Sequence, residues 1–436
     1  MSYYNLVSFC GIFVLVGVGW AISSDRRRMN WRVLGWGVAL QLLFGAFVFL
    51  VPAGTTLFLF VNKAVVKLLD SASAGAHFVF GRLAVGPGAT NEAGESSLGF
   101  ILAFQAFPTI VFFSALMAIL YYWGIMPRII RGFAFVFTRL MRVSGAESLS
   151  AASNIFVGVE SALTIKPYLP DMTRSELCTV LTAGMATVAS NVLALYVLFL
   201  RDAFPNIAGH FVSASILSAP AALAMSKVVL PEAETPHTLG KAVDVHYERE
   251  SSLFEAIIAG ANSGMRLIFG IVALLLAVLG LVALVDMVLG WTGAGVNGLM
   301  GWDGVWSLKG ALGYLFRPFT VVLGVPWSDI GVISGIIGER TVATEVAGYR
   351  DLAAALGSGL VVHRRSAIIA TYALCGFAHV ASMAIFVGGI SALAPAKTRE
   401  LADVSGRALL AATLACLMTA CVAGTFATDR SILFGD

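Results

Sequence analysis

The chain has 436 residues, 58% of them hydrophobic and only 12% charged, with a mean hydropathy of +0.87. Soluble domains carry about 25% charged residues, so a water-soluble enzyme or a nucleic-acid-binding domain is excluded and a polytopic helical membrane protein is implied. The formal net charge of +3 decides little, because topology follows where the charges sit rather than their sum.

The first apolar run, residues 4–23, is long enough to span a bilayer and shows no cleavable leader. It ends at Asp25-Arg26-Arg27-Arg28 with Arg32 close behind. Four arginines in a short loop place that loop in the cytoplasm and the N-terminus outside. A second span over 33–51 returns outward. Residues 55–83 are interrupted by Lys63, Lys67, Asp70 and Arg82 and predict an outer interfacial helix. A polar loop over 86–97 leads to a third span, 98–122, which Pro108 should bend. Residues 126–142 carry Arg128, Arg131, Arg139 and Arg142 at helical spacing, which predicts an amphipathic helix on the inner surface.

Residues 148–170 are too short and too polar for a full crossing and predict a re-entrant hairpin with its tip at 158–161. Non-helical backbone survives at membrane depth only where it lines a cavity or is buried in protein. A fourth span (175–200), a fifth (207–229) and a charged cytoplasmic loop (231–252) follow. The plan then repeats: a long sixth span (253–289), an outer interfacial helix (302–322), a second hairpin (327–356) tipped near Thr344-Glu345-Val346, a seventh span (366–393) and an eighth (406–426). An odd number of crossings separates the two units, so the second enters from the opposite face, as an inverted-topology repeat does. His363-Arg364-Arg365 then falls outside, against the charge rule.

An internal repeat supports this plan. Gly184-Met185-Ala186-Thr187-Val188-Ala189-Ser190-Asn191 and Gly376-Phe377-Ala378-His379-Val380-Ala381-Ser382-Met383 share five of eight positions. Each follows an Arg-Ser pair, Arg174-Ser175 or Arg365-Ser366, and a lone glutamate, Glu160 or Glu345. Small residues at mid-span serve either close helix packing or a transporter's binding site, and the paired glutamates favour the site. An ionisable group at the midplane is costly and marks a functional position. Glu160 and Glu345 could accept hydrogen bonds from a polyol, or be structural partners of Lys166, Arg174, Arg340 or Arg350. His379, in place of Thr187, could bond a ligand or carry a proton, or simply pack. Asn154 and Asn191 offer side-chain oxygens that suit a sodium site, or cap helices. The five cysteines show no metal-ligand spacing and read as small buried hydrophobes. No phosphate loop, His-Glu-x-x-His or Cys-x-x-Cys is present, so the chain is not read as an enzyme or primary pump, and transport would need an ion gradient.

At these residues the sequence resembles the concentrative nucleoside transporter family. The matching stretches are 107–116 (Phe107-Pro108-Thr109-Ile110), Asn154 to Gly158, Lys166-Pro167-Tyr168-Leu169-Pro170, Met172-Thr173-Arg174-Ser175-Glu176-Leu177, Gly184-Met185-Ala186-Thr187, and 370–378. The resemblance implies an all-α, elevator-type transporter with about eight spans and two hairpins. It implies a homotrimer in the bacterial-type inner membrane that imports nucleosides with a sodium ion or proton. It divides the chain into N-terminal scaffold helices (1–97), a third span and first repeat (98–230), a cytoplasmic loop (231–252) and a second half (253–436). It carries the ligand contacts onto Val159, Glu160, Val188, Thr344, Glu345, Phe377, His379 and Ser382. A candidate sodium site falls on Asn154, Val157, Asn191 and Val192. Glu160, Glu345, Phe377 and Ser382 keep the family's residue. Val159 stands in a tip that lacks the usual Gln and is one residue shorter, Thr344 and His379 each replace an Asn, and Asn191 replaces a Ser. Another polar metabolite, or ligand binding without net transport, are the readings these departures leave open.

Overall fold

The computed structural model describes residues 2–91, 94–247, 249–300 and 304–428. It is helical throughout, with no strand among the described residues. Helices α1 (Tyr3–Ala21) and α2 (Trp31–Leu50) are the first two spans; the Asn30 side chain caps α2 by accepting from the Val33 amide. Helix α3 (Pro52–Phe80) begins on a proline at its first turn, where the missing N–H costs nothing. The third span is a short α4 (Leu102–Gln105) and then α5 (Phe107–Tyr122). The expected bend is therefore a break at Ala106, and Pro108 opens the second helix rather than kinking a continuous one.

Helix α6 (Ile125–Met141) buries Met126, Ile130, Ala134, Phe137 and Met141 and exposes Arg128, Arg131 and Arg139, with Arg142 exposed just past its end, the amphipathic stripe that the spacing predicts. The first hairpin is α7 (Gly145–Asn154), an irregular tip and α8 (Ser161–Thr164). The fourth span is broken into α9 (Arg174–Ala186) and α10 (Ser190–Leu200), and α11 (Ile207–Val229) follows.

The long sixth span is α12 (Leu253–Met300), which runs well past the expected end at 289. Helix α13 (Leu308–Val322) is the second interfacial helix; residues 302 and 303, expected to open it, lie outside the described residues. The second hairpin is α14 (Ile330–Ala343) and α15 (Glu345–Gly357), joined at Thr344. The seventh span is broken into α16 (Arg364–Leu374) and α17 (Val380–Leu393), and α18 (Thr398–Phe426) starts eight residues before the expected eighth span. That first stretch, with Arg399, Glu400 and Asp403, extends the helix beyond its apolar part.

The two repeats pack through α18, which contacts α9, α11 and α16. The shared Arg-Ser pairs have a common part and a different part. Both serines tie a broken helix to its neighbour. Ser175 Oγ donates to Leu230 O (2.8 Å) and accepts from Lys227 Nζ, whose other partners are Glu147 and Glu232. Ser366 Oγ donates to Asp329 Oδ2 (2.6 Å), which also accepts the His363 amide, while Oδ1 accepts the Val362 amide. The arginines differ. Arg174 is exposed, whereas Arg365 is buried and donates to Tyr4 O, Gly324 O, Ala427 O and Ser8 Oγ. That burial takes one charge out of the apparent violation of the charge rule: Arg365 clamps α1 to the second repeat, while His363 and Arg364 stay exposed.

Candidate functional site

The two hairpin tips and the two helix breaks converge on one chamber of about 90 Å³. Gly158, Val159 and Glu160 come from the first tip, Thr344, Glu345 and Val346 from the second. Ala189, Asn191 and Val192 come from the first break, Phe377, His379 and Ser382 from the second, and Leu267, Ile271 and Leu275 of α12 close the wall. The predicted contacts Val159, Glu160, Thr344, Glu345, Phe377, His379 and Ser382 thus meet in space. Val188 is the exception. It is buried behind the lining, where its carbonyl faces Ser215 Oγ (3.4 Å).

Glu345 opens α15, where the free amides of a helix N-terminus favour negative charge. Its Oε1 accepts from Tyr196 Oη (2.8 Å), and Oε2 lies 2.8 Å from His379 Nε2. None of the cations weighed from the sequence partners it: Arg350 meets Asp351, and Lys166 and Arg174 are exposed. Sequence reasoning missed Tyr196, which sits in an apolar run (Ala194-Leu195-Tyr196-Val197) with no local pattern to mark it.

His379 does two jobs. It is the N-cap of α17, its Nδ1 accepting the Ser382 amide (3.2 Å). An accepting Nδ1 leaves the proton of the neutral ring on Nε2, which faces Glu345 Oε2 and, at 2.7 Å, Ser382 Oγ. Packing residue and site residue, the two alternatives for this histidine, are the same residue seen from its two nitrogens.

Close approach at the first tip depends on Gly158. A Cβ there would stand 3.3 Å from Ala189 Cβ and 3.4 Å from Glu160 Oε2. The second tip is strained. Thr344 has φ +96°, a region that β-branched residues avoid, and its buried Oγ1 has no partner among the described residues. With ψ +159° the residue lies in a region open essentially to glycine alone. We expect Thr344→Gly to raise stability by about 1 kcal/mol, the low end of such strain, read as an increase in the melting temperature of the purified protein.

The candidate cation residues are less well assembled. Asn154 Nδ2 donates to Ser150 O and its Oδ1 accepts from Ser161 Oγ (2.9 Å). Asn191 Oδ1 is buried without a hydrogen-bond partner among the described residues and Nδ2 reaches Ser114 Oγ only at 3.4 Å. Val192 lines the chamber and Val157 a second cavity. That cavity holds about 370 Å³ and shares Glu160 and Asn191 with the first; Tyr121, Phe156, Lys166, His246 and Tyr247 also line it. The chamber alone is below the 300–1,000 Å³ typical of small-ligand sites, so a whole ligand would extend toward this vestibule.

Family models match this chain in three places: the Na+ dependent nucleoside transporter N-terminus (residues 10–83) and C-terminus (210–424), and a nucleoside recognition model (103–203). The nucleoside permease NupC of Helicobacter pylori is 35% identical over 98% of this chain and 99% of its own length. The chain belongs to the concentrative nucleoside transporter family. Mouse solute carrier family 28 member 3 is 37% identical over 96% of the chain, and the chain spans 58% of that protein's length. The family member CNTnw, in an inward-facing substrate-bound state, superposes with a TM-score of 0.85 at 33% identity, covering 97% of this chain and 98% of that one. CNTnw in an outward-facing state gives the same TM-score at 32% identity. The inverted repeat with two hairpins is therefore the family fold, an elevator-type transporter and not an enzyme.

Proposed function

We propose that this protein is an ion-coupled secondary carrier that imports nucleosides across the bacterial-type inner membrane. The observation that carries the reading is the convergence of Glu160 and Glu345, from opposite hairpins, on one chamber whose other polar side chains are Thr344, His379, Ser382 and Asn191. Two carboxylates across a small cavity suit a ligand rich in hydroxyls, as a ribose is, and Phe377 offers a ring face for a base to stack on. Uptake of labelled uridine and adenosine into proteoliposomes, under imposed sodium or proton gradients, tests it. Absence of gradient-driven uptake of either would end the reading.

Sodium is the coupling ion we favour, supported by the neutral oxygens of Asn154 and Asn191 beside Val157 and Val192 and by what the matched family models describe. The 2.8 Å approach of His379 Nε2 to Glu345 Oε2 favours a second reading, proton coupling, because a buried imidazole and carboxylate at that distance can pass a proton with a small reorientation. His379→Asn keeps a good helix cap and removes the imidazole. Under proton coupling the variant loses proton-driven uptake; under sodium coupling sodium-driven uptake survives.

With the loop 231–252 cytoplasmic, the vestibule beside His246 and Tyr247 opens inward. Cysteines replacing Arg27 and Lys397 are expected to react only from the cytoplasm and one replacing Gly94 only from outside; outside labelling at Arg27 would reverse the orientation. The transport domain would comprise both hairpins and both broken spans. Helix α12 runs for 48 residues, and none of its most apolar 18-residue window is buried. At 1.5 Å per residue it is about 70 Å long, more than twice the hydrocarbon thickness. A face of that length suits contact with lipid and with two further copies in a homotrimer, for which light scattering of the purified protein should return three chains.

A further inference from the structure

Arg340 is the largest fully buried side chain among the described residues. It lies four residues before the second tip, inside the unit that carries the ligand chamber. Nη1 donates to Ala373 O (3.0 Å), in the last turn of α16. Nε and Nη2 have no hydrogen-bond partner, and no carboxylate forms an ion pair with the group among the described residues. Beside it stands the Cys416 thiol, which donates weakly toward Ala186 O (3.7 Å) and Cys375 O (3.4 Å). Ala186 ends α9 and Cys375 follows the end of α16. The C-terminal ends of both broken helices therefore meet around this guanidinium, each carrying roughly half a negative charge.

An arginine at this depth is permanently protonated, and two helix ends can offset its burial without a carboxylate. The nearby carboxylate, Glu345, is turned to Tyr196 and His379 instead. Arg340 thus does not hold Glu345 in place, yet both ride on the same hairpin.

We propose that Arg340 is a fixed cation that travels with the ligand site and offsets the charge of Glu345, so that this pair contributes no net charge when the loaded unit crosses the bilayer. The inference rests on the carrier reading above. Its consequence is electrical. Removing the arginine makes the moving unit one charge more negative whatever the protonation of the other groups. Inside-negative potential then opposes the inward-facing loaded state. One charge moved across the whole field at 100 mV corresponds to about 2.3 kcal/mol, so a charge crossing a third to a half of the field changes the rate roughly three- to sevenfold.

The test is nucleoside exchange between loaded sides of proteoliposomes, with ion and ligand saturating on both and the potential set by a potassium gradient and ionophore. Wild-type exchange sets the reference voltage dependence, which Glu160 and the bound ion share in fixing, and Arg340→Lys should match it. Arg340→Gln should slow a further three- to sevenfold relative to wild type as the inside becomes negative, a change that a packing role would not create. Glu345→Gln is a second variant, which removes the other charge of the pair and keeps both protein partners of the side chain. At saturating ligand its exchange should shift by the same factor in the opposite sense. Folded Arg340→Gln or Glu345→Gln with the wild-type voltage dependence would overturn the proposal. Wild type that exchanges nothing would instead sink the carrier reading.

Discussion

Glu345→Gln is expected to weaken nucleoside binding tenfold to a hundredfold while leaving the fold intact. The side chain has two protein partners, and both accommodate an amide. The amide oxygen can face His379 Nε2–H, and the amide nitrogen can donate to Tyr196 Oη, because a hydroxyl accepts as well as it donates. The exchange therefore removes charge and little else. A hydrogen bond to a charged acceptor is worth about 1.5–3 kcal/mol, and each 1.4 kcal/mol is about a factor of ten in affinity. Titration calorimetry with uridine on the detergent-purified variant measures it. Unchanged affinity with an unchanged melting temperature would show that Glu345 binds only Tyr196 and His379 and never the ligand. Tyr196→Phe is the internal control, since it leaves the carboxylate but frees one oxygen to move.

Much of this architecture is legible in the sequence, for reasons that differ between elements. Arg128, Arg131, Arg139 and Arg142 recur at helical spacing, and a charged face has only one place to go beside a bilayer, so α6 is readable from its residues alone. Glu160 and Glu345 are legible because a lone carboxylate in an apolar setting is too costly to be incidental. The breaks at 187–189 and 375–379 are different: nothing in Gly184 to Asn191 demands non-helical backbone. Tyr196 and Arg340 show a further limit. Their roles depend on residues 149 and 33 positions away, and no local period carries that information. Val188 was carried over by position within a motif, and it failed to reach the chamber because its neighbour Ala189 is the residue that faces Gly158.

The two repeated octapeptides also serve packing and binding at once, and their glycines separate the two roles. Gly184 and Gly376 are equivalent in the repeat but meet different things. A Cβ on Gly184 would run into the Phe386 ring, a side chain that lines the chamber. A Cβ on Gly376 would stand 2.8 Å from Ala186 O and 2.6 Å from Cys416 Sγ, and the residue itself has φ +150°. Gly184→Ala can be relieved by turning Phe386 into the chamber; Gly376→Ala cannot, because a backbone carbonyl does not rotate away. Gly376→Ala should then lose about 1–3 kcal/mol to backbone strain and a similar amount, about 1–3 kcal/mol, to overpacking. That is enough to deplete the folded protein in membranes, read by fluorescence-detected size exclusion. Gly184→Ala should keep its elution profile and lose ligand affinity, because the displaced ring occupies space that the nucleoside needs. Shortening the ring tests the assignment directly: Phe386→Leu in the Gly184→Ala background should recover binding and should do nothing for Gly376→Ala. Equal loss of folding in both glycine variants, or no recovery with leucine, would mean that the first octapeptide is a packing seam only and that its apposition to the chamber has no bearing on the ligand.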